Sequence, residues 1–308
     1  MVDDERIEIL KRVEAGEITA AQAEELLDAL EEEPEDEPER EGEEFTDITE
    51  WSPDGPITEL KIDNFVGKTE VRAGEETLVV ATVRVRARDA ETAKEFFDKV
   101  NLTFDEKKGK ARIKADVTKG VLDIFRVRKV AVDFDVTMPA DVALKTALGN
   151  GSIETEGIET VAGNIGNGKV VTDGADVNLN IGNGKVHSDG ARKLELDIGN
   201  GKLYVGGAEV LEVFKANFGN GKLKLDAGRL NENADYELKF GNGKLSFEFA
   251  AKPTNCEIKI IAPAANVVGD LPFGRKGGTW TYEDGEPKAR VKIKAAHAKV
   301  EIAVKEEA

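Results

Sequence analysis

From Phe45 onward the chain alternates apolar and polar residues, the period of half-buried β-strands. Segments around 57–65, 76–87, 101–105, 110–117 and 129–137 follow this pattern and are rich in Val, Ile, Phe and Thr. One helix interrupts them, DAETAKEFFDKV at 89–100, with Asp89 placed to cap its first turn. Upstream the period changes. Ile9, Leu10 and Val13 share one helical face, and Gly16 stands where a left-handed residue ends a helix. Thr19 and Gln22 form a capping box opening a second helix, which carries Ala23, Leu26, Leu27 and Leu30. Residues 4–30 therefore predict a small helical hairpin.

The most regular stretch contains six copies of one tripeptide: Gly149-Asn150-Gly151, Gly166-Asn167-Gly168, Gly182-Asn183-Gly184, Gly199-Asn200-Gly201, Gly219-Asn220-Gly221 and Gly241-Asn242-Gly243. Successive copies lie 16 to 22 residues apart, too short a period for a pair of helices but enough for short strands joined by corners. Ile165, Ile181, Ile198, Phe218 and Phe240 precede the tripeptide, and Val170, Val186, Leu203, Leu223 and Leu245 follow it after one intervening residue. Ile165 and Val170 both want the core, yet four residues separate them. A plain three-residue hairpin would instead set Ile165 opposite Lys169. The parity fits an arc of a solenoid coil with both flanking strands facing inward. Such an arc demands positive φ, which suits glycine and is best tolerated otherwise by asparagine. Coils about 4.8 Å apart would raise the six asparagines into a ladder about 24 Å tall.

The predicted fold is mainly β: a β-solenoid of short coils with Gly-Asn-Gly corners, preceded by a β-rich cap with one helix and by the N-terminal α-hairpin. The expected divisions are the hairpin at 1–30, an acidic disordered linker at 31–52, a β-rich lead-in at 53–148, the repeat solenoid at 149–250, and C-terminal coils or a cap at 251–308. The last coil, AAHAKVEIAV, keeps the strand pattern and loses the glycines, as terminal repeats often do.

Charge sharpens this division. The formal net charge is −18, but residues 1–44 hold 19 Asp and Glu against 4 Lys and Arg, while residues 45–308 hold 42 against 39. The arm EEEPEDEPEREGEE at 31–44 repels nucleic acid and anionic lipid, and its composition predicts an extended tether. One cysteine, Cys256, excludes an internal disulfide framework. The opening MVDDERIEIL shows no secretory pattern and no apolar run is long enough to span a membrane, so a cytoplasmic protein without membrane insertion is expected. A single glutamine, Gln22, in a Lys/Glu-rich chain leans toward thermostability.

The candidate chemistry is sparse. GNIGNGKV at 163–170 approaches a phosphate-binding loop, but Val170 replaces the hydroxyl that would ligate magnesium and no helix follows. Calcium-binding β-rolls place Asp two residues after the last glycine of a longer nonapeptide, whereas here Lys169, Lys185, Lys202, Lys222 and Lys244 follow the tripeptide directly and would repel a cation. Those lysines read as outward residues in a polar ladder with Asn164, Asn180, Asp197 and Asn217, or as a row for an anionic polymer. His187 and His297 lack metal-ligand neighbours, and Cys256 reads as a buried small hydrophobe. Asp133 and Asp135 alternate on a strand and could share a face, with no Arg or His expected to join them. No catalytic residue, cofactor site or metal site is expected.

The corners, the entry TMPADVALKTALGNG and the helix DAETAKEFFDKV together resemble the toastrack-type "putative adhesin" β-repeat family, whose function is not known. The segment ERIEILKRVEAGEITAAQAEELLDAL resembles the SHOCT-like helical module that precedes such domains in some bacterial proteins. The resemblance implies a non-enzymatic protein linked to envelope stress, with a phage-shock-type membrane protein as one implied partner. The expected function is an intracellular scaffold or adaptor that contacts a protein partner, or itself, through Ile9, Leu10, Val13, Leu26, Leu27 and Leu30. The alternatives are a surface adhesin-like module and a filament subunit joined through exposed coil edges.

Overall fold

A computed structural model describes residues 42–117, 130–207, 210–264 and 266–305. The hairpin at 1–30, with its six candidate contacts, and most of the acidic tether lie outside the described residues.

Each Gly-Asn-Gly copy sits in the middle of one long strand that bends there without breaking its ladder. Strands β1 (Glu43–Trp51), β2 (Glu59–Ala73) and β3 (Leu78–Ala87) precede helix α1 (Ala90–Phe97). There follow β4 (Val100–Lys107), β5 (Lys110–Val117), β6 (Val130–Met138) and then β7 (Ala143–Glu156), β8 (Thr160–Thr172), β9 (Asp176–Asp189), β10 (Lys193–Gly206), β11 (Val213–Gly228) and β12 (Asp235–Phe249). Strands β7 to β12 stack in parallel with every asparagine over the next: Asn150, Asn167, Asn183, Asn200, Asn220 and Asn242. Both residues flanking each arc are buried, as with Ile165 and Val170, so the corner is the solenoid arc that parity demands.

The stack extends beyond the repeats at both ends. β2 runs parallel to β7, with Gly67 over Gly151. Its other edge carries β5 on the arm before the corner and β6 on the arm after it. The far end mirrors this arrangement. Strands β13 (Cys256–Ile261), β14 (Asn266–Gly269), β15 (Gly274–Lys276) and β16 (Thr279–Asp284) precede β17 (Ala289–Val304), yet β17 lies between β12 and the pair β13/β14. The outermost rung is thus broken at both ends, and the first and last long strands of the chain are each one rung in. Antiparallel partners cover the outer edges: β4 on β5, β3 on β6, and β16 on β13. A parallel edge left bare would recruit other chains; here antiparallel strands take the outermost places on β5, β6 and β13.

Four expectations need correction. The linker expected through residue 52 gives way at Glu43 to β1, which pairs with β3, and Glu44 meets Arg84 and Arg86 there. The repeat solenoid expected at 149–250 begins at β2 and closes on β13/β14, because flanking strands with degenerate corners continue the same register. The helix ends at Phe97 rather than 100, since Val100 already pairs with Val117; Asp89 does cap it, accepting from Thr92 N at 2.8 Å. Finally, no corner asparagine adopts positive φ. Gly151, Gly201, Gly221 and Gly243 do, at 128° to 153°.

The first glycine of each copy has another reason. A Cβ on Gly166 would stand 2.5 Å from the carbonyl oxygen of Gly149 in the adjacent coil, and the other copies repeat this clash. Close approach of neighbouring backbones excludes a side chain there.

The core fills according to coil length. Where copies are 16 or 17 residues apart, its buried positions hold Val161, Val177, Thr155, Thr172 and Ser188. Where they are 20 or 22 apart, Phe214 and Tyr236 take the places of Val161 and Val177, Phe218 and Phe240 those of Ile165 and Ile181, and Phe247 that of Thr155, Thr172 and Ser188. Longer connections enclose the wider cross-section that aromatic rings need.

Candidate functional site

The corner face carries three parallel tracks. The middle one is the asparagine ladder, in which each Nδ2 donates to the Oδ1 of the preceding copy at 2.7 to 2.9 Å, from Asn167 onto Asn150 through to Asn242 onto Asn220. The amide satisfies one donor and one acceptor per rung, which a single repeated side chain can do only if it carries both. His297 occupies the next place in line, over Asn242.

Beyond the corner lies the lysine track, where Lys169, Lys185, Lys202, Lys222, Lys244 and Lys299 stack in register. Carboxylates that the sequence pattern did not indicate meet lysines at the two ends of this face. Glu301 bridges Lys244 at 3.1 Å and also pairs with Lys299, and Glu70 pairs with Lys68 at the opposite end. Hydrogen bonding to Glu70 is the chief cause of the raised Lys68 pKa, and the same bond holds the Glu70 carboxyl below its usual value. The outward asparagines expected beside the lysines belong to the third track, where Asn180 donates to Asn164 at 3.0 Å.

That third track is an open groove of about 1360 Å³ before the corner, lined mainly by apolar surface. Every coil contributes the same three positions. The first is outward and mostly polar: Asn164, Asn180, Asp197, Asn217 and Lys239. The second is the inward Ile or Phe, buried beneath the floor, and the third is the first glycine of the copy, exposed at Gly166, Gly182, Gly199 and Gly219. Phe65, 41% exposed, stands at one end with Asp63 and Asp116; Ile261 and Pro263 stand at the other. Arg112 holds Asp63 at 2.8 Å. Lining residues run from β5 to β13, nine rung steps, so the groove is about 43 Å long at the usual strand spacing. The outward polar row was legible before each Gly-Asn-Gly. The groove was not, because its ends come from β5 and β13, remote in sequence.

Other candidates resolve into structure. Asp133 accepts from Lys68 N at 2.8 Å and from Arg84 Nε at 2.6 Å, and Arg72 pairs with Asp135 at 3.0 Å. Arginines therefore do join these acids, from 49 and 63 residues away in sequence. His187 stacks on Tyr204 with ring centres 4.7 Å apart. Cys256 is buried, and burial with help from Asp284 pushes its thiol up to about 11, away from reactivity. Among the described residues no group of three or more His, Cys, Asp or Glu could hold a metal ion. No described helix is long and apolar enough to cross a membrane.

Residues 4–35 match the family model of a SHOCT-like domain. The chain is similar to the crystal structure of a putative adhesin from Parabacteroides distasonis, at 14% identity over 85% of this chain and 98% of that one, with a TM-score of 0.35. It is likewise similar to a putative adhesin from Parabacteroides merdae, at 11% identity over 83% and 95%, TM-score 0.36. A third structure, titled a putative lipid binding protein from Parabacteroides distasonis, is 9% identical over 85% and 97%, TM-score 0.32. No curated protein matches the chain.

Proposed function

We propose that this chain is a non-catalytic binding scaffold: a rigid stack whose corner face holds an extended ligand, joined to an N-terminal hairpin that recruits a protein partner. The observation carrying this reading is the uninterrupted groove, which presents the same three positions on rung after rung. A reaction centre gathers unlike groups around one point, whereas a repeated surface suits a long partner contacted many times weakly. Recruitment falls to Ile9, Leu10, Val13, Leu26, Leu27 and Leu30, within the segment that matches the SHOCT-like domain. In this reading the protein works in the cytoplasm, and the resemblance makes a phage-shock-type membrane protein of an envelope-stress system the first partner to seek.

Affinity capture from cell extract tests this, comparing the full chain with a variant lacking residues 1–41. The expected result is loss of specific protein partners from the shortened chain. Identical partner sets would end the recruiting role. Cell fractionation separates the scaffold from the surface-adhesin alternative.

A further inference from the structure

The groove's chemistry narrows what it can hold. Its central polar edge carries the carboxamides Asn164, Asn180 and Asn217, each both donor and acceptor, among three acids and three lysines whose charges balance. Its glycine positions bare backbone, so a flat ligand face can approach to contact distance without meeting a side chain. Phe65 offers a half-exposed ring at one end. An acyl chain would leave one whole side in water in so open a trough and would pair with none of these amides. An extended peptide needs unpaired backbone groups for strand addition, and here neighbouring rungs already pair with each other. A charged polymer of either sign gains no net attraction, because Asp63, Asp116 and Asp197 are balanced by Lys114, Lys239 and Lys294.

We propose that the groove binds a linear, uncharged polysaccharide laid along the stack axis. The sugar rings set their C–H faces on the bared glycine positions and on the Phe65 ring, and their hydroxyls exchange hydrogen bonds with the asparagine edge. This inference rests on the reading of the corner face as a binding surface, but not on recruitment by the hairpin.

Calorimetric titration of the full chain with cellohexaose and with chitohexaose tests it. At least one hexasaccharide should bind, and the double variant N180L/N217L should bind it at least tenfold more weakly while keeping the wild-type circular dichroism spectrum and elution volume. Because both leucines stand on exposed outward positions, a second variant, N180Q/N217Q, should restore part of the affinity. K169A/K185A, on the other track, should bind like wild type. No heat with either sugar at millimolar concentration would overturn the proposal, as would undiminished binding by N180L/N217L or equal loss in K169A/K185A. Partner capture that still depends on residues 1–41 would then leave the scaffold reading standing without this ligand.

Discussion

Asn183 donates from Nδ2 to the Oδ1 of Asn167 at 2.8 Å, and its own Oδ1 receives Nδ2 of Asn200 at the same distance. One exposed side chain therefore ties three coils together. Net hydrogen bonds contribute about 0.5–1.5 kcal/mol each, and exposure puts these near the low end, so Asn183→Ala should cost about 1–2 kcal/mol by urea denaturation. Asn183→Asp should cost at least as much, since a carboxylate cannot donate to Asn167. The ladder also holds Asn-Gly in a fixed conformation. Mass spectrometry should find deamidation at Asn167 and Asn183 slow in the native protein and fast after unfolding.

Glycines that look alike in sequence should respond differently to substitution. Gly190 has φ of +70° and open space around its missing Cβ, so Gly190→Ala should cost only the left-handed backbone penalty of about 1–2 kcal/mol. At Gly199 a Cβ would overlap the carbonyl oxygen of Gly182, which is backbone and cannot swing aside. Gly199→Ala should therefore cost more than about 4 kcal/mol or prevent folding. Equal thermal melting of the two variants would contradict the rung spacing.

Stability should fall in acid. Burial works to raise the Glu248 pKa, but hydrogen bonds from Lys224 and Lys305 outweigh it and hold the carboxyl below its usual value. Glu301 is held down in the same way by Lys299 and Lys244, and Glu59 chiefly by Lys145. A carboxyl depressed on folding stabilises the native state above its unfolded pKa, about 4.3 for Glu, and that contribution is lost as pH falls through the lower native value. Thermal melts should thus decline below about pH 5, less steeply for Glu248→Gln, and less steeply at high salt because these pairs are partly exposed.

Removing residues 289–308 should open a slot between β12 and β13, two edges that otherwise pair with β17. The shortened chain should aggregate through those edges. A synthetic peptide spanning residues 287–305 should fill the slot in trans and return the chain to a monomer in light scattering. Monomeric behaviour without the peptide would mean that β17 is dispensable to the stack.

What the sequence disclosed was whatever repeats locally. Ile165, four intervening residues and Val170 dictate an inward-facing arc, and six copies dictate a ladder. The placement of β2 and β17 one rung in from each end was illegible, because parallel pairing between distant segments leaves no periodic trace. The same holds for Asp133, whose partner Arg84 is remote in sequence and recognisable only once β3 and β6 are paired. Asn tolerates left-handed conformations in general, so composition alone points the corner asparagines to a backbone role. Their actual work is side chain to side chain, which only the exact stacking of neighbouring coils reveals.

The dependence of core size on coil length divides the stack energetically. Rungs β11 and β12 bury Phe214, Phe218, Tyr236, Phe240 and Phe247, whereas β8 has glycine, Gly163, at one inward position and Thr172 at another. A large aromatic contributes several times what a threonine does, so cooperativity between neighbouring rungs is weakest at β8. Native-state hydrogen exchange should then resolve two foldons meeting there, one seeded by the aromatic rungs and one by the N-terminal cap. A rod that looks uniform from outside would open, when it opens, at a seam set by its narrowest coils.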